Sequence, residues 1–247
     1  MVQAWHADIS VLERDRARLA RALEWLTPDE RARFDRYRGE DDRLMFALGR
    51  VMARRLVGRS LDVAPTAWRW REGPHGRPEI AEPDTSLRFN LAHSAGLVAC
   101  VTALGRDVGV DVEDRARRAL DPAIVNRFCS PDEARDVDAG REGWPDRFLI
   151  YWTLKEAYLK ARGVGISVHL SDINFAVGPE VLKVQGPTVQ GTSIRVSFLR
   201  SLAGADARWA FALTEPTARH LLAVAAATGD DPAPPITCQP FPADWLP

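Results

Sequence analysis

Two carboxylates, with one residue between them, lie in the segment Val108-Gly-Val-Asp-Val-Glu113. The alternation of valine with other residues predicts a strand on which Gly109, Asp111 and Glu113 share one face. Residues two apart on a strand lie about 6.6–7 Å apart, so the two carboxylates can converge on one cation, with Mg²⁺ favoured over Ca²⁺ or Zn²⁺. The alternative is a half-exposed strand with a solvated acidic face. A glycine beside the pair favours close approach of a ligand or of another backbone.

A second candidate lies between Trp152 and Gly163, where the apolar spacing predicts a helix that ends at the glycine. Trp152, Glu156 and Lys160 follow at four-residue intervals and share one face. Arginine supplies nearly all of the 33 basic residues, and the only lysines are Lys155, Lys160 and Lys183. Two of them in one helix indicate a need for a compact ammonium, which the flat guanidinium does not replace. The alternative is a core edge with a solvated ion pair, and we interpret Trp152 as packing.

A cluster of hydrogen-bonding side chains lies in Phe89-Asn-Leu-Ala-His-Ser94, just before an apolar run. His93 with Asn90 and Ser94 is either a compact binding cluster or a capped turn with a structural histidine. No cysteine or second histidine lies near it in sequence, so a zinc site is not indicated. A Ser-His-Asp triad lacks support because no Gly-x-Ser-x-Gly elbow is present.

Three arginines are candidate phosphate ligands. Arg77 lies in a loop rich in glycine and proline, which could hold its guanidinium rigidly against a phosphate, although an ordinary turn has the same composition. Arg31 and Arg33 lie on a predicted helix, where a solvated basic face is the alternative. No P-loop or dinucleotide-binding fingerprint is present, so side chains would have to hold a nucleotide.

The order of predicted elements is helices, strands, helices, strands, which indicates an α+β architecture with two similar halves. Thr27-Pro-Asp-Glu30 has the pattern of a helix start, and a central buried helix is predicted from about Asp41 to Val57. We find no residue-level repeat. The expected division is an N-terminal half, a C-terminal half and a proline-rich, linker-like tail, over residues 1–107, 108–228 and 229–247.

Composition excludes several classes of protein. The 247 residues carry a net charge of −1, which gives no overall signal for nucleic acid or membrane binding, although arginines outnumber acids between Arg14 and Arg59. Three widely separated cysteines fit neither a metal site nor a disulfide framework and favour a reducing cytoplasm. No signal peptide is expected, and no apolar run approaches the roughly 20 residues of a membrane span.

The ordered set of these motifs resembles the 4′-phosphopantetheinyl transferases, in the larger pseudo-dimeric type. The match consists of Gly109-x-Asp-x-Glu113 followed by Trp152-x-x-Lys-Glu-Ala-x-x-Lys-x-x-Gly163, together with Phe89-Asn-x-x-His-Ser94, Gly76-Arg-Pro78 and Arg127-Phe-Cys-Ser-Pro-x-Glu133. It extends from about residue 27 to residue 175. Each motif alone is weak, but the ordered set is specific. The resemblance implies two α/β halves with the active site at the interface between them.

The resemblance implies a reaction and a set of residues. The phosphopantetheine arm of coenzyme A moves to a serine of an apo acyl or peptidyl carrier protein, with Mg²⁺, and adenosine 3′,5′-bisphosphate is released. The implied metal ligands are Asp111, Glu113 and Glu156; Glu156 is also the implied general base, and Lys160 would offset charge on the reacting phosphate oxygens. The implied phosphate ligands are His93, Arg77, Lys155 and Lys160, with Arg33 and Arg31 farther away.

Two positions depart from the family pattern. Ala92 stands where the family often has serine, and Glu30 stands where it often has lysine. Both departures concern how the 3′-phosphate of coenzyme A is held. Arg77 replaces a common lysine.

Other features of the function stay open at this stage. The expected partner is an acidic helical carrier protein, and Arg115, Arg117 and Arg118 are candidate contacts. Two halves in one chain predict a monomer. A metal-dependent phosphodiesterase and a non-catalytic carrier-binding protein are the alternatives.

Overall fold

A computed structural model describes residues 1–73, 76–116, 120–138, 140–164, 168–178, 189–190, 194–199, 208–229 and 232–247. The helices are α1 (Ser10–Glu13), α2 (Arg16–Glu24), α3 (Pro28–Arg36), α4 (Glu40–Leu61), α5 (Ala123–Phe128), α6 (Pro131–Val137) and α7 (Trp144–Arg162). The strands are β1 (Val2–Asp8), β2 (Arg69–Glu72), β3 (Pro78–Glu82), β4 (Leu87–Ser94), β5 (Leu97–Leu104), β6 (Val108–Asp114), β7 (Ile173–Val177), β8 (Val189–Gln190), β9 (Ile194–Phe198), β10 (Trp209–Thr217), β11 (His220–Ala227) and β12 (Ile236–Pro240). The predicted α+β class is confirmed.

Two four-stranded sheets form the centre of the molecule. Strands β12, β1, β5 and β4 make the first sheet, and β6, β11, β10 and β8 make the second. One buried cluster of small side chains joins them, with Ala4 and Val101 from the first sheet and Val110 and Val224 from the second. Helix α4 packs on the first sheet and α7 packs on the second. Alanine and valine allow the sheets to approach closely, and the larger aromatic residues lie under the helices.

The order of elements is the same on the two sides of this interface. On one side β1 is followed by α4, the antiparallel pair β2–β3, and then β4 and β5. On the other side β6 is followed by α7, the antiparallel pair β7–β9, and then β10 and β11. Strand β5 pairs antiparallel with β1, and β11 pairs antiparallel with β6. The central helix therefore covers the sheet built by its own half in both cases.

A short sequence repeat, too short to be recognised from the sequence alone, accompanies the repeated order of elements. Thr27-Pro-Asp-Glu30 opens α3 and Ser130-Pro-Asp-Glu133 opens α6, each as a complete capping box. Both glutamates are buried, and each pairs with a basic residue of the central helix of its own half, Arg54 in α4 and Lys155 in α7. Four residues in each copy are too few for a detectable repeat, and the basic partners differ.

Two boundaries differ from the sequence-based expectation. Helix α4 continues through Gly58 to Leu61, because Asp62 rather than the glycine takes the left-handed conformation that ends it. The expectation of a linker-like tail is wrong for residues 232–247. Strand β12 pairs in parallel with β1, and the ring centroids of Trp245 and Trp5 lie 4.9 Å apart. The tail is ordered because its few large apolar residues pack into the first core. The sequence also predicts a strand over residues 181–185, and that segment lies outside the described residues.

Candidate active site

Helix α7 lies directly on strand β6, and Gly109 makes this contact possible. A Cβ atom at Gly109 would lie 2.2 Å from the carbonyl oxygen of Ala157 and 2.4 Å from the amide nitrogen of Ala161. Only a residue without a side chain fits there. The predicted close approach at this glycine is therefore to another backbone. It brings one face of α7 against the strand face that carries the two carboxylates.

Lys160 of α7 and Asp111 of β6 form an ion pair with 2.6 Å between Nζ and Oδ1. Asp111 is 5% exposed, and its second oxygen, Oδ2, is buried without a hydrogen-bond partner. Burial raises the pKa of Asp111, and the Lys160 ammonium opposes that shift. A buried carboxylate oxygen with no donor is costly, so this site is suited to receiving a cation.

Glu156 lies one helical turn before Lys160 on the same face of α7. Burial raises its pKa, and the negative charge of Asp111 raises it further, while Lys160 lowers it. Two carboxylates that repel each other beside one lysine form a site that lacks positive charge. The structure thus brings together Asp111, Glu156 and Lys160, a group that the family resemblance implies.

Glu113 is oriented by Trp152, which lies on α7 one helical turn before Glu156. The indole Nε1 of Trp152 donates a hydrogen bond of 2.5 Å to Oε1 of Glu113. The ring itself packs against Phe128 and Phe148, at centroid distances of 5.0 and 6.0 Å. The interpretation of Trp152 as packing alone is therefore wrong, since the indole also holds a predicted metal ligand.

The donor set fits a hard divalent cation, because Asp111, Glu113 and Glu156 offer only carboxylate oxygens. The open oxygen of Asp111 and its repulsion with Glu156 indicate where such an ion would be held. Across the described residues, however, no three acidic, histidine or cysteine side chains are grouped closely enough to form a metal site. The three carboxylates would therefore have to move closer together for all of them to share one ion.

His93 extends from β4, in the other sheet, and is exposed. Neighbouring groups nevertheless desolvate the ring in part, which lowers its pKa, and the positive charge of Lys160 lowers it further; Arg50 acts in the same direction and Asp42 opposes them. His93 is therefore in electrostatic range of the lysine on α7. Its neighbour Asn90 accepts a hydrogen bond of 3.1 Å from the Val110 amide, which ties β4 to β6.

Arg77 connects the two sides of the molecule. Its guanidinium donates to the carbonyl oxygen of Ala161 at the end of α7 (2.8 Å) and to Oδ1 of Asp107 just before β6 (2.6 Å). The side chain is 12% exposed and packs on Gly163. The structure therefore gives Arg77 protein partners, and a phosphate contact by this side chain would require it to exchange one of them.

Lys155 does not face the same site. Its Nζ lies 2.5 Å from Oε2 of Glu133 and donates to the carbonyl oxygens of Phe128 and Leu170, each at 2.8 Å. Only 1% of the lysine is exposed. The structure contradicts the expected phosphate contact, because position 155 lies on the buried face of α7, one residue away from Glu156.

The two arginines of α3 are placed differently. Arg31 lies on the exposed face, 3.6 Å from Asp35 in a solvated ion pair, as the alternative interpretation expected. Arg33 lines a cavity that also contains Arg50 and Trp70, neither of which the sequence analysis identified. The only signal for Arg50 was an arginine within the wide apolar face of a buried helix.

Comparison with known proteins agrees with this geometry. A family model described as the 4′-phosphopantetheinyl transferase superfamily matches residues 107–221, and one described as 4′-phosphopantetheinyl transferase, N-terminal, matches residues 13–104. A phosphopantetheinyl transferase of Thraustochytrium sp. is 32% identical, over 72% of this chain and 67% of its own length. The 4′-phosphopantetheinyl transferase HetI of Nostoc sp. is 32% identical, over 70% and 75%. The chain belongs to the 4′-phosphopantetheinyl transferase family, whose members are transferase enzymes.

A more distant relative is also a member of this family. The 4′-phosphopantetheinyl transferase Sfp of Bacillus subtilis is 28% identical, over 62% of this chain and 67% of its own length. Among solved structures, the holo-[acyl-carrier-protein] synthase of Thermotoga maritima aligns with 49% of this chain and 62% of that one, at 19% identity and a TM-score of 0.35, too low to carry an argument. Within the described residues, no helix has both the length and the apolar character needed to cross a bilayer.

Proposed function

We propose that this chain transfers the 4′-phosphopantetheine arm of coenzyme A to a serine of an apo acyl or peptidyl carrier protein and releases adenosine 3′,5′-bisphosphate. One observation carries the proposal. The ion pair between Lys160 and Asp111 lies beside the raised-pKa carboxyl of Glu156, in electrostatic range of His93 on the opposite sheet. An acid–base group beside positive charge is what transfer of a phosphate ester requires, and this supports the proposal.

The division of roles follows from the environment of each side chain. Glu156 would accept the proton of the carrier serine, directly or through water, and its raised pKa brings it closer to the working pH. Lys160 is 32% exposed and can turn from Asp111 to the oxygens of the breaking bond. Asp111, Glu113 and Glu156 would hold Mg²⁺. That ion would neutralise the negative charge of the pyrophosphate.

We further propose that the two sides form a pseudo-dimer, divided between residues 1–107 and 108–228, with the active site between them. The repeated order of elements and the paired capping boxes support this division, as does the meeting of the two family matches between residues 104 and 107. One chain then supplies both sides of the site, and a monomer is expected. The three cysteines are few and widely separated in the chain, which supports a reducing cytoplasm.

The carrier docking surface is proposed near the end of β6. Arg115 lies there in an ion pair with Glu215. The other two candidate contacts, Arg117 and Arg118, lie outside the described residues. Charge reversal at Arg115 should slow encounter with an acidic carrier and change its salt dependence. Unchanged kinetics would remove Arg115 from the interface.

The test is to incubate the protein with Mg²⁺, coenzyme A and an apo carrier protein and to weigh the carrier by mass spectrometry. We expect a mass gain of one phosphopantetheine arm and the appearance of adenosine 3′,5′-bisphosphate. Loss of both on replacing Glu156 with Gln, by at least about 100-fold, would support its role. Glu142→Gln, at an exposed position before α7, is the matched control. Absence of a mass gain across several carriers would contradict the proposal.

A further inference from the structure

The last turn of α7 receives a hydrogen bond from the opposite side of the molecule. Arg77 directly precedes β3, and its Nη1 donates to the carbonyl oxygen of Ala161 at 2.8 Å. The final four carbonyl groups of an α-helix have no partner within the helix. The guanidinium therefore supplies a hydrogen bond that the helix itself cannot make. Its positive charge also lies at the negative end of the helix dipole, which is favourable.

The same guanidinium holds the start of β6. Its Nη2 donates to Oδ1 of Asp107 at 2.6 Å, and Asp107 directly precedes the strand. Arginine can bind two acceptors in this way because its guanidinium is a planar fork with several N–H donors. The side chain is 12% exposed, so water competes little for these bonds. Arg77 therefore links the end of α7 with the start of β6.

These two elements also carry the proposed reacting groups. Ala161 directly follows Lys160, and Asp107 lies four positions before Asp111. The ion pair between Lys160 and Asp111, with 2.6 Å between Nζ and Oδ1, is a second polar contact between α7 and β6. The Arg77 link and the ion pair thus join the same two elements, one through the helix backbone and the other through side chains.

The equivalent helix of the other half is capped by residues that follow it in sequence. Asp62 takes the left-handed conformation after α4, and the Val63 amide donates to the Gly58 carbonyl oxygen at 2.9 Å. The Ala161 carbonyl differs, since its partner is a side chain 84 positions away. The Arg77 link is therefore a contact between the two sides of the molecule and not a local feature of helix capping.

Ala161 is held from two directions. It is fully buried, and β6 approaches its amide so closely that a Cβ at Gly109 would lie 2.4 Å from the Ala161 nitrogen. Arg77 binds the carbonyl oxygen of the same residue. The backbone beside Lys160 is thereby fixed on β6, while the Lys160 side chain is 32% exposed and has room to move.

The ion pair cannot hold α7 on β6 throughout the proposed reaction, because Lys160 has to leave Asp111 to reach the reacting phosphate. The Arg77 link does not involve the Lys160 ammonium and persists during that movement. We propose that Arg77 is a positioning residue that holds the last turn of α7 on β6 while Lys160 turns to the substrate, an assignment that rests on the proposed function. Arg77 acts through the backbone of Ala161, and its charge is directed to protein partners.

The test compares transfer by Arg77→Met and by Arg88→Met. Arg88 lies 4.0 Å from the same Asp107 carboxylate and is 40% exposed, and in the described part of the chain this is its only ion pair. In Arg77→Met we expect kcat to fall about 10- to 100-fold, as a displacement of up to about 1 Å can cause, with little change in KM for coenzyme A. Arg88→Met should leave both constants unchanged. Arg77→Lys should have an intermediate kcat, because an ammonium lacks the fork that binds both acceptors.

A double replacement distinguishes positioning of Lys160 from a general loss of structure. In a Lys160→Met background, Arg77→Met should lower kcat by less than about threefold, because the residue through which it acts is already absent. An equal loss in both backgrounds would overturn the assignment. A rise in KM for coenzyme A with unchanged kcat would also overturn it, since that result indicates direct substrate binding by Arg77.

Hydrogen exchange of the α7 amides, followed by mass spectrometry, separates this assignment from the proposed function because it needs no substrate. Arg77→Met should speed exchange in the last turn, around Ala161, and leave the first turn, after Trp144, unchanged. Faster exchange there in a protein that modifies no carrier would support the Arg77 link and contradict the transferase. Carrier modification by the wild type, with exchange unaffected by Arg77→Met, would overturn the link and support the transferase.

Discussion

Trp152 and Glu113, 39 positions apart in the chain, are joined by a hydrogen bond of 2.5 Å from the indole nitrogen to the carboxylate. The bond crosses from α7 to β6 and determines the direction of one of three carboxylates predicted to hold Mg²⁺. A residue that touches a metal ligand affects the metal through that ligand's orientation. Trp152 is therefore a positioning residue.

Replacing Trp152 with Phe should keep the ring packing against Phe128 and Phe148 and remove only the hydrogen bond to Glu113. We expect the Mg²⁺ concentration for half-maximal transfer to rise about tenfold, the lower end of the range for such contacts. The melting temperature should change little. Trp245→Phe, at a partly buried tryptophan in the other core, is the control. An unaltered Mg²⁺ requirement would show that the hydrogen bond has no part in metal binding.

Replacing Gly109 with Ala should separate α7 from β6. The new Cβ would lie 2.2 Å from the Ala157 carbonyl oxygen, and the backbone of the helix must move to relieve the clash. A displacement of about 1 Å can lower catalysis about 100-fold, and overpacking costs about 1–3 kcal/mol of stability. Transfer rate and chemical denaturation measure the two effects.

Gly49→Ala is the matched control, in the helix of the other half. A Cβ there would meet Val98 at 3.6 Å, an ordinary contact, and alanine favours the helix. We expect unchanged or slightly higher stability and normal transfer. Full activity in Gly109→Ala would mean that the site does not require this close approach.

Lys155 and Lys160 should give opposite results when each is replaced by Met. Lys155→Met leaves the buried Glu133 carboxylate without its cation, and breaking a buried ion pair costs about 3–5 kcal/mol of unfolding free energy. Lys160 is 32% exposed but its partner Asp111 is buried, so Lys160→Met should cost less stability than Lys155→Met while lowering kcat. Urea unfolding and turnover of each variant check both statements. A Lys155→Met variant with normal stability and lost turnover would restore the phosphate role for Lys155.

Stability should fall on acidification because two histidines are partly buried at the interface between the sheets. Burial, followed by the charge on His220, lowers the pKa of His6, and burial lowers that of His220 from the ordinary value of 6.5 despite the nearby Asp114. Below about pH 6.5 the unfolded chain binds more protons than the native one, so the free energy of unfolding decreases as pH falls. The loss is about 1.4 kcal/mol per unit of difference in pKa.

Urea unfolding between pH 7.5 and 5.5 measures this effect. The Thr217 hydroxyl lies 2.8 Å from Nδ1 of His220 and can donate to the neutral ring. The Ala95 carbonyl oxygen lies 3.3 Å from Nε2, and this contact raises the pKa of His220 against the larger effect of burial. His6→Gln should reduce the dependence on pH. His169→Gln, at an exposed position, should not. A wild-type stability that is flat across this range would contradict the prediction.

Local patterns predicted much of the framework. The alternation in Val108–Glu113 and the spacing in Trp152–Gly163 are properties of single elements, and both were placed correctly as β6 and α7. The capping box at Thr27 likewise marks the start of α3. Short-range geometry also put Glu156 and Lys160 on one face. These features depend on residues within one or two turns of each other, so a sequence contains them directly.

The tertiary structure decided which partners those side chains have. Nothing near Lys155 in sequence indicates that it meets Glu133 rather than a phosphate, and nothing near Arg50 indicates that it shares Glu30 with Arg54. The segment that forms β12 has the composition of a linker, and it becomes a strand because the edge of β1 is available for pairing. Motif spacing by itself determined the family and the two elements that carry the chemistry. The direction of each charged side chain depends on burial and on contacts with distant segments, which only the packing of the two sheets and their helices establishes.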